Sequence, residues 1–149
     1  MKIIDLEQHD ETFIFFTDGD IYKIEVENPW FKTNRLVYKN DQLIFEMVSH
    51  SFSNKEPTFQ NVALDFKHLH NLSFDFFPLC YEDQRIRVRI NFPSWGTPFE
   101  LFVNKHYVGK IQRGRLLLGS NSEYEIEINV SEELLVPFFL AISMRLPTG

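Results

Sequence analysis

The sequence predicts an all-β fold with one C-terminal helix at about residues 131–146, in a single domain that spans residues 1–149. Two patterns lead to this fold class. In several segments apolar and polar residues alternate with a period of two, which indicates half-buried strands. One segment near the C-terminus is apolar on every side, which is typical of a fully buried helix. A chain of 149 residues with 44% hydrophobic and 24% charged residues also suits one globular domain.

Strand signals recur along the chain at spacings of about 8–12 residues, as they do in sandwiches and barrels. The predicted strands cover 12–17, 21–27, 58–66, 72–77, 85–92 and 123–130, and the predicted hairpins cover 35–49 and 99–113. Asn40-Asp41 and Asn104-Lys105-His106 mark the two hairpin turns.

Alternation is clearest in three of these strands. In 21–27, Ile24 and Val26 share one face, while lysine and glutamate residues occupy the other. The strand at 85–92 sets Ile86, Val88, Ile90 and Phe92 against Arg85, Arg87 and Arg89. The strand at 123–130 sets Tyr124, Ile126, Ile128 and Val130 against Glu123, Glu125 and Glu127. Each strand therefore has one face for the core and one charged face.

The helix prediction depends on residues 131–146. Ser131 suits an N-cap, and Glu132 and Glu133 suit the positive end of the helix dipole. The run 134–144 has no polar face, so the helix must be buried all round, with Pro137 kinking or restarting it. A buried strand is the alternative for this run. Because such a helix needs sheet on every side, we expect a barrel or a strongly curled antiparallel sheet wrapped around it.

This plan resembles the tubby C-terminal-like superfamily, in particular its LURP-one-related members. The resemblance lies from Phe99 through Gly109-Lys110-Ile111, then in 124–128, and then in 134–144. It implies strands closed around a central hydrophobic C-terminal helix, and phosphoinositide binding or a role at membranes. The chain has no motif from which the family's binding residues could be assigned.

Charge is unevenly distributed along the chain, whose net charge is −6. A negative chain does not fit general nucleic-acid binding, which usually needs a basic domain. Residues 84–115, in contrast, hold seven basic residues and one acid. Arginine forks recognise phosphate and carboxylate groups, and a loop tryptophan beside them suits a headgroup site. We therefore predict an anion or headgroup site made of Arg85, Arg87, Arg89, Trp95, Lys110, Arg113 and Arg115.

A structural role for the arginines is the alternative. Glu123, Glu125 and Glu127 form a complementary acidic stripe. If the two strands pair, the stripes neutralise each other as a cross-strand ladder.

These features favour a non-enzymatic binding module for anionic lipid headgroups or membrane surfaces. The alternative is a small acidic protein-interaction domain, of the inhibitor or toxin-neutralising type, that binds a basic partner. An enzyme is the least favoured class, because we find no catalytic, metal-binding or cofactor motif in the sequence. The single Cys80 excludes an internal disulfide and a multi-cysteine zinc site.

The sequence also bears on location. Acidic residues follow Met1–Ile4 at once, unlike a secretory signal, and no apolar run is long enough to span a bilayer. We therefore expect a cytoplasmic protein without a transmembrane segment, peripheral at membranes if the lipid hypothesis holds.

Overall fold

The protein contains eleven strands and one α-helix within the residues that the computed structural model describes, which are 1–28, 32–50, 58–60, 78–81, 84–91, 99–116 and 122–145. The strands are β1 (Lys2–His9), β2 (Thr12–Phe16), β3 (Ile21–Glu27), β4 (Lys32–Lys39), β5 (Gln42–His50), β6 (Thr58–Gln60), β7 (Pro78–Tyr81), β8 (Gln84–Asn91), β9 (Phe99–Val103), β10 (His106–Leu116) and β11 (Ser122–Ile128). A 3-10 turn (Glu132–Leu134) leads into α1 (Leu135–Arg145). The predicted all-β fold with one C-terminal helix is confirmed.

All eleven strands belong to one antiparallel sheet in the order β6-β5-β4-β3-β2-β1-β11-β10-β9-β8-β7. β1 pairs with β11 from Lys2 opposite Ile128 to Gln8 opposite Ser122, so the two halves of the chain meet in the middle of the sheet. The pairing ends at β6 on one side and at β7 on the other, and within the described ranges the sheet does not close into a barrel.

Both predicted hairpins are confirmed. β4 and β5 are joined at Asn40-Asp41, and β9 and β10 are joined at Asn104-Lys105. All four turn residues have positive φ, between 50° and 74°. This conformation matches the right-handed twist of paired strands, and Asn and Asp adopt it more readily than most residues.

The sequence patterns missed β1. Its inward positions are Ile4, Leu6 and Gln8, which alternate with exposed or half-buried residues. Of the predicted strands at 58–66 and 72–77, only Thr58–Gln60 falls within the described residues, and 61–77 lies outside them.

The helix is buried on every side. Each residue from 135 to 143 is buried, and nine residues make more than two turns at about 3.6 residues per turn. Phe139 stacks on Phe15 of β2, with 4.1 Å between ring centroids, and also contacts Tyr22 of β3. α1 also packs against β8. The core is one cluster that joins α1 to the inner face of the sheet.

The start of the helix differs in detail from the prediction. Ser131 has the extended backbone of an N-cap, but its side chain makes no capping hydrogen bond. The Leu134 backbone N–H instead donates to the Ser131 carbonyl, at 3.0 Å. Pro137 lies in the first turn of α1, where a missing N–H costs little, so it begins the helix rather than kinking it.

Candidate binding surfaces

The three predicted site arginines of β8 form a row along one strand, here called the arginine row (positions 85, 87 and 89). Ile90 of β8 is 8% exposed and belongs to the core, and the three arginine positions alternate with it along the strand. Arg85 is opposite Cys80, Arg87 is opposite Pro78 and Arg89 is opposite Phe102. None of these register partners is charged.

The predicted ladder between the arginine row and Glu123, Glu125 and Glu127 is wrong. β8 pairs with β7 and β9, whereas β11 pairs with β1 and β10. The hairpin formed by β9 and β10 lies between the two strands, which places them about 14 Å apart at about 4.8 Å per step. The stripes have complementary charge, but they are not neighbours.

Lys110 is neutralised within the sheet instead of joining the arginine row. Its Nζ lies 3.8 Å from Oε2 of Glu127, its register partner on β11. On the other side, Lys110 is opposite Glu100 of β9. Two acidic neighbours thus balance the charge of this lysine.

The strand register does not join the positions of the other predicted site residues to that of Lys110. Arg113 is opposite Tyr124, which faces the core, so the register places positions 110 and 113 on opposite faces of the sheet. Arg115 falls where the pairing of β10 with β11 shifts register. Trp95 lies outside the described residues. The arginine row is therefore the part of the predicted site that the strand order keeps together.

An aromatic pair lies beside the arginine row. Phe102, the register partner of Arg89, is also opposite Tyr107 of β10. The two rings meet edge to face, with centroids 5.9 Å apart, and Tyr107 is 55% exposed. Lys105 is exposed in the adjoining turn. Aromatic rings with a polar tip, placed next to cations, suit both membrane interfaces and protein interfaces.

Acidic residues line the junction of β1 and β11, here called the acidic seam (Asp5, Glu7, Glu123 and Glu125). Asp5 is directly opposite Glu125, and Glu7 is directly opposite Glu123. Like charges in these positions repel and destabilise a sheet. The Nε2 atom of His9 lies 3.1 Å from the Glu7 carboxylate.

Sequence reasoning missed Arg35 of β4. This residue is opposite Val26 of β3 and Met47 of β5, and both partners face the core. Its Nε atom is buried and has no hydrogen-bond partner within the described part of the chain. Burial lowers the pKa of the guanidinium. The predicted hairpin contains the pattern that would have identified Arg35 as an inward position. Arg35 precedes the buried Val37 by two residues and so shares its face.

The chain has no significant match among protein-family models, curated proteins or solved structures. In the described ranges, no helix is both long and apolar enough to cross a membrane. In those same ranges, His, Cys, Asp and Glu residues form no group of three or more that could hold a metal ion.

Proposed function

We propose that this protein is a non-enzymatic binding module whose arginine row contacts anionic lipid headgroups at a membrane surface. The observation that carries the proposal is the register of β8, in which all three arginine positions have uncharged partners. Arginines without a directly opposed acidic residue keep more of their positive potential available for phosphate oxygens. The proposal retains the expected cytoplasmic location, with peripheral attachment to the membrane.

The proposal includes a sheet that curls around α1, as the resemblance to tubby-like and LURP-one-related domains implies. α1 contacts β3 and also β8, which is six steps away in the strand order. In a flat sheet six steps span about 29 Å, whereas the 11-residue helix is about 16 Å long and about 10–12 Å across. Contact of one helix with both strands thus supports curling, which would direct the arginine row away from the core.

The hairpin of β9 and β10 adds a second kind of contact to the same surface. Exposed Tyr107 and the adjoining Lys105 lie near the arginine row through Phe102, the partner of Arg89. A tyrosine ring can lie at the headgroup level while arginine and lysine meet the phosphates. We expect contacts from this hairpin to add to the affinity for anionic membranes that the arginine row provides.

Vesicle co-sedimentation tests the lipid proposal. The comparison uses neutral vesicles and phosphoinositide-bearing vesicles, at about 0.1 M and about 1 M salt, where the Debye lengths are about 10 Å and about 3 Å. We expect binding only to the anionic vesicles at the lower salt concentration. The triple variant R85Q/R87Q/R89Q should lose this binding and keep the wild-type circular dichroism spectrum.

A matched control separates the arginine row from net charge. The variant K23Q/K32Q/K39Q removes three positive charges from β3 and β4 and should bind vesicles as the wild type does. Equal loss of binding in both triple variants would mean that only overall charge matters. Wild-type protein that ignores every vesicle would refute the lipid proposal outright.

A second candidate function is the recognition of a basic protein through the acidic seam. Two directly opposed acidic pairs favour this function, because their repulsion destabilises the sheet when no cation is bound. Ile3, which is 62% exposed, lies next to the seam on β1 and offers an apolar contact. Such a surface would steer a basic partner and hold it by mixed contacts.

Titration calorimetry with poly-L-lysine tests the second candidate. The seam variant D5N/E125Q should weaken binding more than the control E27Q/E133Q, which removes two exposed acids elsewhere. Equal weakening in the two variants would show that poly-L-lysine responds to net charge, and the acidic seam would then have no special role.

A further inference from the structure

Arg35 occupies a position that an apolar residue would ordinarily fill. Val26 is 8% exposed and Met47 is fully buried, and these two residues flank Arg35 on β3 and β5. Two residues further along β4, Val37 continues the same face and is buried against Ile24 and Phe45. The guanidinium group thus extends from the inner face of the sheet, beside the core.

The charge of Arg35 has no counterpart in the protein as far as it is described. Within those residues no ion pair includes Arg35, and its buried Nε atom lacks an acceptor. Three of the lysines of β1 to β4, in contrast, contact carboxylates: Lys2, Lys23 and Lys39. Arg35 therefore differs from its neighbours in burial and in lacking a partner.

A buried cation in this state is unfavourable. Removal of a charge from water carries a large penalty that only a counter-charge and hydrogen bonds offset. Burial lowers the pKa of the guanidinium, but an arginine remains protonated at neutral pH. Because the side chain cannot lose its proton, the penalty can be offset in two ways, by water at the exposed part of the guanidinium and by an external anion.

The surroundings offer both access and further hydrogen-bonding groups. Arg35 is half-buried as a whole, so part of its side chain meets solvent although Nε does not. The next pair of positions on the same face is Thr33 opposite Ser49. The Thr33 hydroxyl donates to Oδ1 of Asn28 at 3.0 Å, which leaves the Ser49 hydroxyl as a donor. A guanidinium beside one such hydroxyl is a suitable environment for the oxygens of a phosphate or carboxylate group.

We infer that Arg35 binds an oxyanion group, phosphate or carboxylate, of a small soluble molecule on the inner side of the sheet. The position excludes a bilayer as the source, because the buried Nε atom cannot reach a headgroup plane that contacts the outer face. This site is therefore separate from the arginine row, and either proposal can fail without the other.

Thermal unfolding with added anions tests the inference. Wild type, R35M and K32M are melted in sodium chloride, sodium phosphate and sodium acetate at one ionic strength. Lys32 is an exposed cation of the same strand and serves as the matched control. At an anion concentration of about 100 times Kd, the wild-type Tm should rise by about 5–10 °C, and K32M should respond equally.

The variant R35M should behave differently in two ways. In chloride its Tm should be higher than that of the wild type, because methionine has a long side chain without the unpaired charge of Arg35. In phosphate or acetate its Tm should not change. A response to phosphate alone identifies a phosphoryl ligand, and a response to acetate alone identifies a carboxylate ligand. An equal response in R35M and the wild type, or no response of the wild type to either anion, would overturn the inference.

A second variant covers the case in which R35M does not fold. R35K keeps the charge but loses the planar fork that binds two oxygens at once. We expect its affinity for the responding anion to fall by about tenfold or more. Unchanged affinity in R35K would contradict a site built on the guanidinium of Arg35. Vesicle binding should be unaffected in both variants.

Discussion

Gly109 is the residue at which the pairing of β10 and β11 tolerates least change. A Cβ atom at this position would overlap the backbone carbonyl of Glu127 on the neighbouring strand. The obstacle is backbone, so it cannot move aside as a flexible side chain could. The need for glycine comes from how closely the two strands approach, which no local sequence pattern shows.

We predict that G109A lowers the free energy of unfolding by about 2–4 kcal/mol, because the strands must separate to admit a methyl group. Urea denaturation measures the change. Gly19 provides the comparison, since the space around it is open and only its φ of 98° opposes a side chain. G19A should cost about 1–2 kcal/mol. A G109A protein as stable as the wild type would contradict the strand approach described here.

Ionisation of Tyr22 is predicted to lower the stability of the folded protein at alkaline pH. Burial raises the pKa of its phenol above the ordinary value of 10.0, and this outweighs the opposing effect of nearby Lys39. In the unfolded chain the phenol ionises first, near pH 10, and the folded state holds its proton to higher pH. The stabilisation is therefore complete below pH 10 and is lost as the pH rises through the folded-state pKa.

The variant Y22F should remove part of this loss of stability at alkaline pH, because it lacks the phenol hydroxyl but retains the ring contact with Phe139. We expect Y22F to lose less stability than the wild type between about pH 8 and about pH 11, as measured by urea unfolding. Y107F is the control, because Tyr107 is exposed, and it should keep the wild-type slope. Identical slopes in Y22F and wild type would show that ionisation of Tyr22 does not lower the stability at alkaline pH.

At the scale of the element, α1 holds the sheet through a few large side chains. Phe139 is 1% exposed and stacks on Phe15 at 4.1 Å. Deletion of a fully buried aromatic ring removes its burial free energy and leaves a cavity. The contact is the clearest case in which the C-terminal helix and the N-terminal hairpin depend on each other.

We therefore predict that F139A destabilises the protein by about 3–5 kcal/mol. Phe16 is the matched control, because it belongs to β2 but is only half-buried and faces away from Phe15. F16A should cost clearly less than F139A in the same denaturation experiment. Equal costs for the two variants would contradict a central position for α1.

The elements also show what the sequence could and could not predict. Period-two alternation defined β3 and β11 because each has one buried and one charged face, and Asn-Asp and Asn-Lys located the hairpin turns. β1 was missed because its acidic residues were considered only as evidence about a leader segment. The ladder was predicted wrongly because complementary stripes do not specify which strands are neighbours. Strand order depends on tertiary packing, which local patterns do not contain.

At the scale of the whole molecule, strand order separates charges that the sequence alone would pair. The acidic seam lies at the centre of the sheet, and β8 lies next to one end. Two intervening strands keep the arginine row away from Glu123, Glu125 and Glu127. A sheet curled around α1 would display both charged surfaces outward and keep Arg35 inside, so the curl is the structural claim on which the lipid proposal depends.

Nuclear Overhauser spectroscopy on protein labelled at phenylalanine rings and isoleucine methyl groups tests this claim most directly. A curled sheet predicts cross-peaks from α1 to the Phe15 ring of β2 and, in the same spectrum, to the Ile90 methyl groups of β8. A flat sheet holds β2 and β8 too far apart for one helix to contact both. Cross-peaks from α1 to Phe15 without any to Ile90 would contradict the curled sheet.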